Sequence, residues 1–97
     1  MSISVLILTL NEEVNLPRCL ASLEWTDDVV VLDSRSDDRT QELARQAGAR
    51  VEIRTFDDYA SQRNFGLDDI EYKYPWVLMV DADEVGFVEL CPLRVWD

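Results

Sequence analysis

The chain contains no histidine, and its two cysteines, Cys19 and Cys91, stand far apart with no CxxC pair. A zinc site has neither its usual ligands nor their spacing, and a reduced, cytoplasmic protein is the expectation. Glycine-rich phosphate loops are missing as well. Neither GxGxxG nor GxxxxGK[ST] occurs, which disfavours a dinucleotide fold and a P-loop. Positive charge is scarce: nine bases face twenty acids, for a net charge of −11. No basic footprint for nucleic acid or for an anionic membrane surface can be built from that balance. Nor is there a long apolar run. "MSISVLILTLNEE" has no basic residue ahead of its apolar stretch and is broken by Thr9 and Asn11. It is too short for a bilayer span and lacks the layout of a signal peptide.

What remains is a globular composition in 97 residues, enough for one modest core. Four apolar, β-branched runs recur along it. "ISVLIL" (3–8), "DVVVLD" (28–33) and "WVLMV" (76–80) are continuous, as strands covered on both faces are, while "RVEIR" (50–54) alternates like a strand nearer an edge. Helical stretches lie between them. "NLPRCLASLEW" has Asn15 as its expected cap and Pro17 in the first turn. "DRTQELARQAG" is capped by Ser36 or Asp37 and ends at Gly48. In "YASQRNFGLDDI" the apolar set is Ala60, Phe65, Leu67 and Ile70, and Gly66 weakens the helical pattern. The alternation of strand and helix predicts a three-layer α/β/α fold on a mostly parallel sheet. The order 3-2-1-4 is taken as its expected arrangement, which would set strand one between strands two and four. The last stretch, "VGFVELCPLRVWD", shows no clear period.

In such a sheet, ligands bind beyond the carboxyl ends of the strands, where the strand order reverses. Three polar segments fall at those ends: "TLNEE", "DSRSDD" and "DADE". With phosphate loops absent, a hard cation held by carboxylates and phosphate oxygens is the expected means of neutralising a diphosphate. Asp81 and Asp83, two apart at a strand end, are the carboxylates for that task. Each acid also has a bland reading as a turn or cap residue, and Arg63 could equally pair with Asp57 or Asp58 at a helix surface. A non-enzymatic, flavodoxin-like or receiver-like Mg²⁺-binding interaction domain is the rival account. Its downstream lysine is wanting, because the single lysine, Lys73, precedes the fourth strand.

Taken in order and spacing, "SVLILTLNEEVNLPRCLASL", "DDVVVLDSRSDDRTQELARQAGARV", "YASQRNFGL" and "WVLMVDADE" resemble the N-terminal half of family-2 glycosyltransferases with the GT-A fold. Among these, the bacterial subgroup that adds glucose to the lipopolysaccharide inner core is the nearest likeness. The resemblance implies a nucleotide-diphospho-sugar donor, a UDP-sugar, with Mg²⁺ or Mn²⁺, and a glycan or lipid-linked acceptor. By that resemblance Thr9 and Glu12 meet the nucleotide, with Asn11 shaping their loop. Asp33 recognises the base with Ser34 beside it, Arg63 lies near the diphosphate, Asp81 lies near the ribose or sugar, and Asp83 is the metal ligand. Arg35 stands where the family commonly has a small residue, often glycine. The resemblance covers about residues 2–84, so residues 1–84 are expected to form the donor-binding half and residues 85–97 an atypical tail from truncation or a shifted frame. No residue matches the acidic general base of the acceptor half, so binding without transfer is expected of this fragment. An uncovered flank on the fourth strand would favour self-association. The inner face of the cytoplasmic membrane is the place of work that the resemblance implies.

Overall fold

A computed structural model describes residues 3–82 and 87–92, with Asp81 and the last stretch followed by their backbone. The elements are β1 (Ser4–Thr9), α1 (Leu16–Ala21), β2 (Val29–Asp33), α2 (Thr40–Gln46), β3 (Arg50–Ile53), α3 (Tyr59–Asp68), β4 (Trp76–Asp81) and β5 (Phe87–Pro92). They build one sheet of order β3-β2-β1-β4-β5, parallel from β3 to β4 and antiparallel between β4 and β5. The predicted 3-2-1-4 order is therefore present.

Continuous apolar strands give each face of the sheet its own core. Val5, Ile7 and Val31 pack with Leu16, Cys19, Leu23 and Ala44 beneath α1 and α2. Leu6, Val30, Leu32, Val77 and Met79 pack with Phe65, Leu67 and Ile70 beneath α3. β1 and β2 are buried at all but one position each, whereas β3 is mostly exposed and carries Arg50 and Glu52, as an edge strand that must avoid further pairing does.

Local details depart from expectation in instructive ways. The α1 helix stops at Ala21, and Asn15 makes no side-chain cap; its Nδ2 instead donates to Glu12 Oε2 at 3.4 Å. The start of α2 is held by Asp38, which accepts from Thr40 N–H at 2.9 Å and from the Thr40 hydroxyl, so neither Ser36 nor Asp37 caps it. Gly48 takes φ +88° just past the helix end, as a C′ glycine should. On α3, Ala60 is exposed and the inward face carries Gln62 and Gly66, one turn apart, with Ile70 buried just past the helix end. Gly66 has a positive role here. A Cβ at that position would lie 2.5 Å from Leu6 Cδ2 and 3.5 Å from Leu32 Cδ2, so the helix approaches the sheet as closely as only glycine permits.

The flank of β4 is not open. β5 covers it in antiparallel register, with Val77 opposite Cys91 and Leu78 opposite Leu90. Too few residues separate β4 from β5 for a crossover helix, and so short a link forces an antiparallel return. The stretch that showed no period is thus in part a sheet strand, and the expected route to self-association along β4 is closed.

Candidate functional site

Strand register brings distant loops to one lip. Thr9 on β1 is the partner of Asp33 on β2, and Asp33 in turn of Ile53 on β3. Leu8 lies between Leu32 on one side and Asp81 on the other. The carboxyl ends of all four parallel strands therefore finish together. Asp81 stands at that lip by its backbone, while Asp83 lies outside the described residues.

The loops after β1 and β2 are joined to one another. Asn11 N–H donates to Ser36 Oγ at 2.7 Å, and Asp37 N–H donates to Asn11 Oδ1 at 3.1 Å. Glu12 N–H donates to Thr40 Oγ1 at 2.8 Å, and Glu13 N–H to Asp38 Oδ2 at 3.3 Å. Asn11 adopts φ +54°, a left-handed conformation that asparagine tolerates better than most residues. Asn11 thus turns the loop with its backbone and ties it to the β2 loop through its N–H and its side-chain oxygen. Glu12 is half-buried at the join.

Asp33 is built into the lip itself. Its side chain is wholly buried and accepts four hydrogen bonds: from the Thr9 hydroxyl at 2.6 Å, the Ser36 hydroxyl at 2.6 Å, Ser36 N–H at 2.7 Å and Gln41 Nε2 at 2.8 Å. A carboxylate offers about four lone-pair positions, and all are taken. Burial pushes its pKa up, but the donors from Ser36, Thr9 and Gln41 outweigh burial and hold it below the ordinary value. Asp33 is the frame of the lip. The residue that reaches the open space is its neighbour, Ser34.

That space is a cavity of about 250 Å³ on the α3 side of the sheet. Leu8, Leu10, Met79 and Val80 give it apolar walls, Phe56 and Tyr59 stand beside it, and Thr9, Ser34 and Gln62 supply its polar groups. Leu10, Phe56 and Tyr59 are each about half exposed, at 52%, 50% and 54%. An apolar hollow with exposed rings at its rim and a few convergent polar groups is the form that small-molecule sites take. Sequence reading missed Gln62, Phe56 and Tyr59. Gln62 sits on the inward face of α3, and no signal in the sequence marks it as internal.

Gln62 is 1% exposed and linked on both sides. Arg54 Nη1 donates to its Oε1 at 2.8 Å, and its Nε2 donates to Ser34 Oγ at 3.1 Å. Arg54 also grips Asp57, at 2.9 and 3.2 Å. Hydrogen bonds from Arg54 lower the Asp57 pKa to about 2. Asp57 thus pairs with Arg54. Arg63 follows Gln62 on α3 and is half-buried. Arg35 adopts φ +59° on the exposed side, where its Nε donates to Thr55 Oγ1 at 2.5 Å. Such a backbone explains why glycine suits that position.

Among the described residues, no group of three His, Cys, Asp or Glu side chains could hold a metal ion, and no helix is long and apolar enough to cross a membrane.

Comparison with known proteins agrees with this geometry. An uncharacterised glycosyltransferase of Rickettsia typhi is 37% identical over 83 residues, covering 84% of this chain and 28% of that protein. The lipopolysaccharide core biosynthesis glycosyltransferase LpsC of Rhizobium meliloti is 37% identical over 87 residues, covering 84% of this chain and 32% of that protein. The crystal structure of glucosyl-3-phosphoglycerate synthase from Mycobacterium tuberculosis with UDP superposes with a TM-score of 0.73 at 26% identity, covering 87% of this chain and 34% of the synthase. A second structure of that enzyme, with Mn²⁺, UDP and glucosyl-3-phosphoglycerate, gives 0.72 at 26% identity, covering 84% and 33%. The chain spans about a third or less of the length of these proteins. The profile of glycosyl transferase family 2 matches residues 4–90, well into β5. This chain belongs to glycosyl transferase family 2.

Proposed function

We propose that this chain forms the donor-binding half of a glycosyltransferase, taking a UDP-sugar together with Mg²⁺ or Mn²⁺ for transfer to a glycan or lipopolysaccharide-core acceptor. The observation that carries the reading is the shared lip, where Thr9 pairs with Asp33 and Leu8 pairs with Asp81, beside the cavity. Support also comes from the two M. tuberculosis synthase structures described above, both of which contain UDP and one of which also contains Mn²⁺. LpsC, a core-biosynthesis enzyme by name, supports the acceptor class.

In this reading the base enters between Leu10 and the rings of Phe56 and Tyr59, since every base offers a face for stacking. Ser34 meets its edge, while Thr9 and Asp33 keep the lip in shape. Glu12 and the Asn11 loop border the nucleotide, Arg63 serves the diphosphate, and Asp81 serves the ribose or sugar. Asp81 and Asp83 supply oxygen donors, the type that Mg²⁺ and Mn²⁺ take, usually through one or two carboxylates plus phosphate oxygens. When bound, the metal offsets the charge that develops on the departing diphosphate. A general base for the acceptor hydroxyl is not assigned to any residue here.

Calorimetric titration of the folded chain with UDP, with and without Mn²⁺, tests the proposal. Binding that strengthens with Mn²⁺ and falls at least about tenfold in Asp83→Asn is the expected result. No binding under either condition contradicts it.

A further inference from the structure

We infer that Gln62 decides which nucleobase edge the cavity accepts, by fixing Ser34 as a hydrogen-bond donor; the inference rests on the nucleotide-sugar reading above. The amide of Gln62 has only one workable orientation. Its Oε1 faces Arg54 Nη1 at 2.8 Å, and a guanidinium can only donate. Its Nε2 lies 3.4 Å from the carbonyl oxygen of Arg54, which can only accept. With the amide so oriented, the group facing Ser34 Oγ at 3.1 Å is an N–H donor. Ser34 oxygen therefore receives, and its hydroxyl hydrogen is left to give.

Among the described residues no acceptor takes that hydrogen, and Ser34 lines the cavity. The direction of the chain of hydrogen bonds is anchored at its far end, where Arg54 is paired to Asp57. It runs one way: Arg54 gives to Gln62, Gln62 gives to Ser34, and Ser34 gives to the ligand. A base that presents a carbonyl oxygen at this edge, as uracil does, completes the sequence. Cytosine presents an amino group at the equivalent position, so donor would meet donor and both would lose their partners. A mismatch of this kind costs on the order of 10–100-fold in affinity.

Gln62 is a positioning residue in this scheme, and a change of one atom reverses its effect. In Gln62→Glu the carboxylate still accepts from Arg54, but its second oxygen accepts the Ser34 hydroxyl hydrogen. Ser34 then turns its lone pairs toward the ligand. Loss of packing alone would weaken all nucleotides together and would leave their ratio unchanged.

The test is titration of the full chain with UDP and with CDP in the presence of Mn²⁺, for wild type, Gln62→Glu and Ser34→Ala, with circular dichroism confirming the fold of each. Wild type is expected to favour UDP by at least about tenfold. Gln62→Glu is expected to shift the UDP-to-CDP ratio at least about tenfold toward CDP, and Ser34→Ala to bring it close to one. An unchanged ratio in Gln62→Glu overturns the inference and leaves donor binding standing. If Gln62→Glu does not fold, the ratio in Ser34→Ala decides in the same way. Wild type that binds neither nucleotide overturns both this inference and the functional proposal beneath it.

Discussion

Replacing Asp33 separates a residue that frames the lip from one that touches the ligand. In the folded protein its carboxylate takes two hydroxyl donors on Oδ1 and two N–H donors on Oδ2, with no exposure to water. Asp33→Asn keeps the shape but exchanges one acceptor for a donor and removes the charge. Hydrogen bonds to an ionised group contribute about 1.5–3 kcal/mol against about 1 for neutral ones, so the net cost is about 2 kcal/mol. Asp33→Ala leaves the Thr9 hydroxyl and Ser36 N–H without this partner, while the Ser36 hydroxyl and Gln41, both half-buried, turn to water. Two unsatisfied groups at ~1–3 kcal/mol each give about 4 kcal/mol, a large share of the ~5–15 kcal/mol that holds a domain of this size. With a urea slope of ~1.5 kcal/mol/M, the midpoints fall by about 1.3 M and 2.7 M. Equilibrium urea unfolding followed by tryptophan fluorescence measures both. If either variant unfolds within about 0.3 M of wild type while UDP affinity drops more than tenfold, Asp33 is a ligand contact and the framing role is wrong.

Other substitutions test the packing and the charge pattern. Gly66→Val forces branched carbons against Leu6 and Leu32 and is expected to destabilise by about 2–3 kcal/mol in the same unfolding assay. Arg35→Gly relieves a left-handed residue and is expected to stabilise by about 0.5–1 kcal/mol, since the Arg35–Thr55 bond it removes is exposed. Asp28 is buried where it accepts from the Ser4 hydroxyl at 2.5 Å, Lys73 N–H at 2.8 Å and Arg50 Nη2 at 2.9 Å. Burial raises its pKa, yet these partners lower it further, to a net value below the ordinary one. A folded value below the unfolded ~3.9 means the unfolded chain binds more protons, so this contribution is full above about pH 4 and fades as pH falls. The urea midpoint is expected to drop from pH 6 to pH 3, and to drop less in Asp28→Asn.

The layered fold was legible because each central strand is apolar on both faces, and Val29–Leu32 or Trp76–Val80 admit few other readings. The order 3-2-1-4 was an assumption that the strands alone leave open, because right-handed crossovers fit other doubly wound orders as well. β5 was not legible, because its apolar residues are interrupted by Glu89 and end at Pro92, and an edge strand pairs on one side only. At the site, the sequence located the loops but not the division of labour within them. Asp33 and Ser34 are adjacent in sequence and point to opposite sides of the sheet, one into a saturated frame and one into the cavity. Strand alternation could have separated them. Gln62 was hidden because a glutamine on a helix reads as surface, and only the approach of Arg54 and Ser34 from two other segments makes it internal. Arg54 itself was obscured because three residues, Asp57, Gln62 and Phe65, share its guanidinium.

The central claim is that loops distant in sequence form one donor site at the carboxyl ends of the strands. Paramagnetic broadening of backbone amides by Mn²⁺ in the presence of UDP tests it most directly. The strands are ~17–20 Å long, so the two ends of the sheet are well separated. Leu8, Thr9, Ser34 and Ala82 are expected to broaden together, while Ser4, Asp28 and Lys73 at the opposite end stay sharp. Broadening centred on Asp27 and Asp28, with the residues around Thr9 unaffected, contradicts the account.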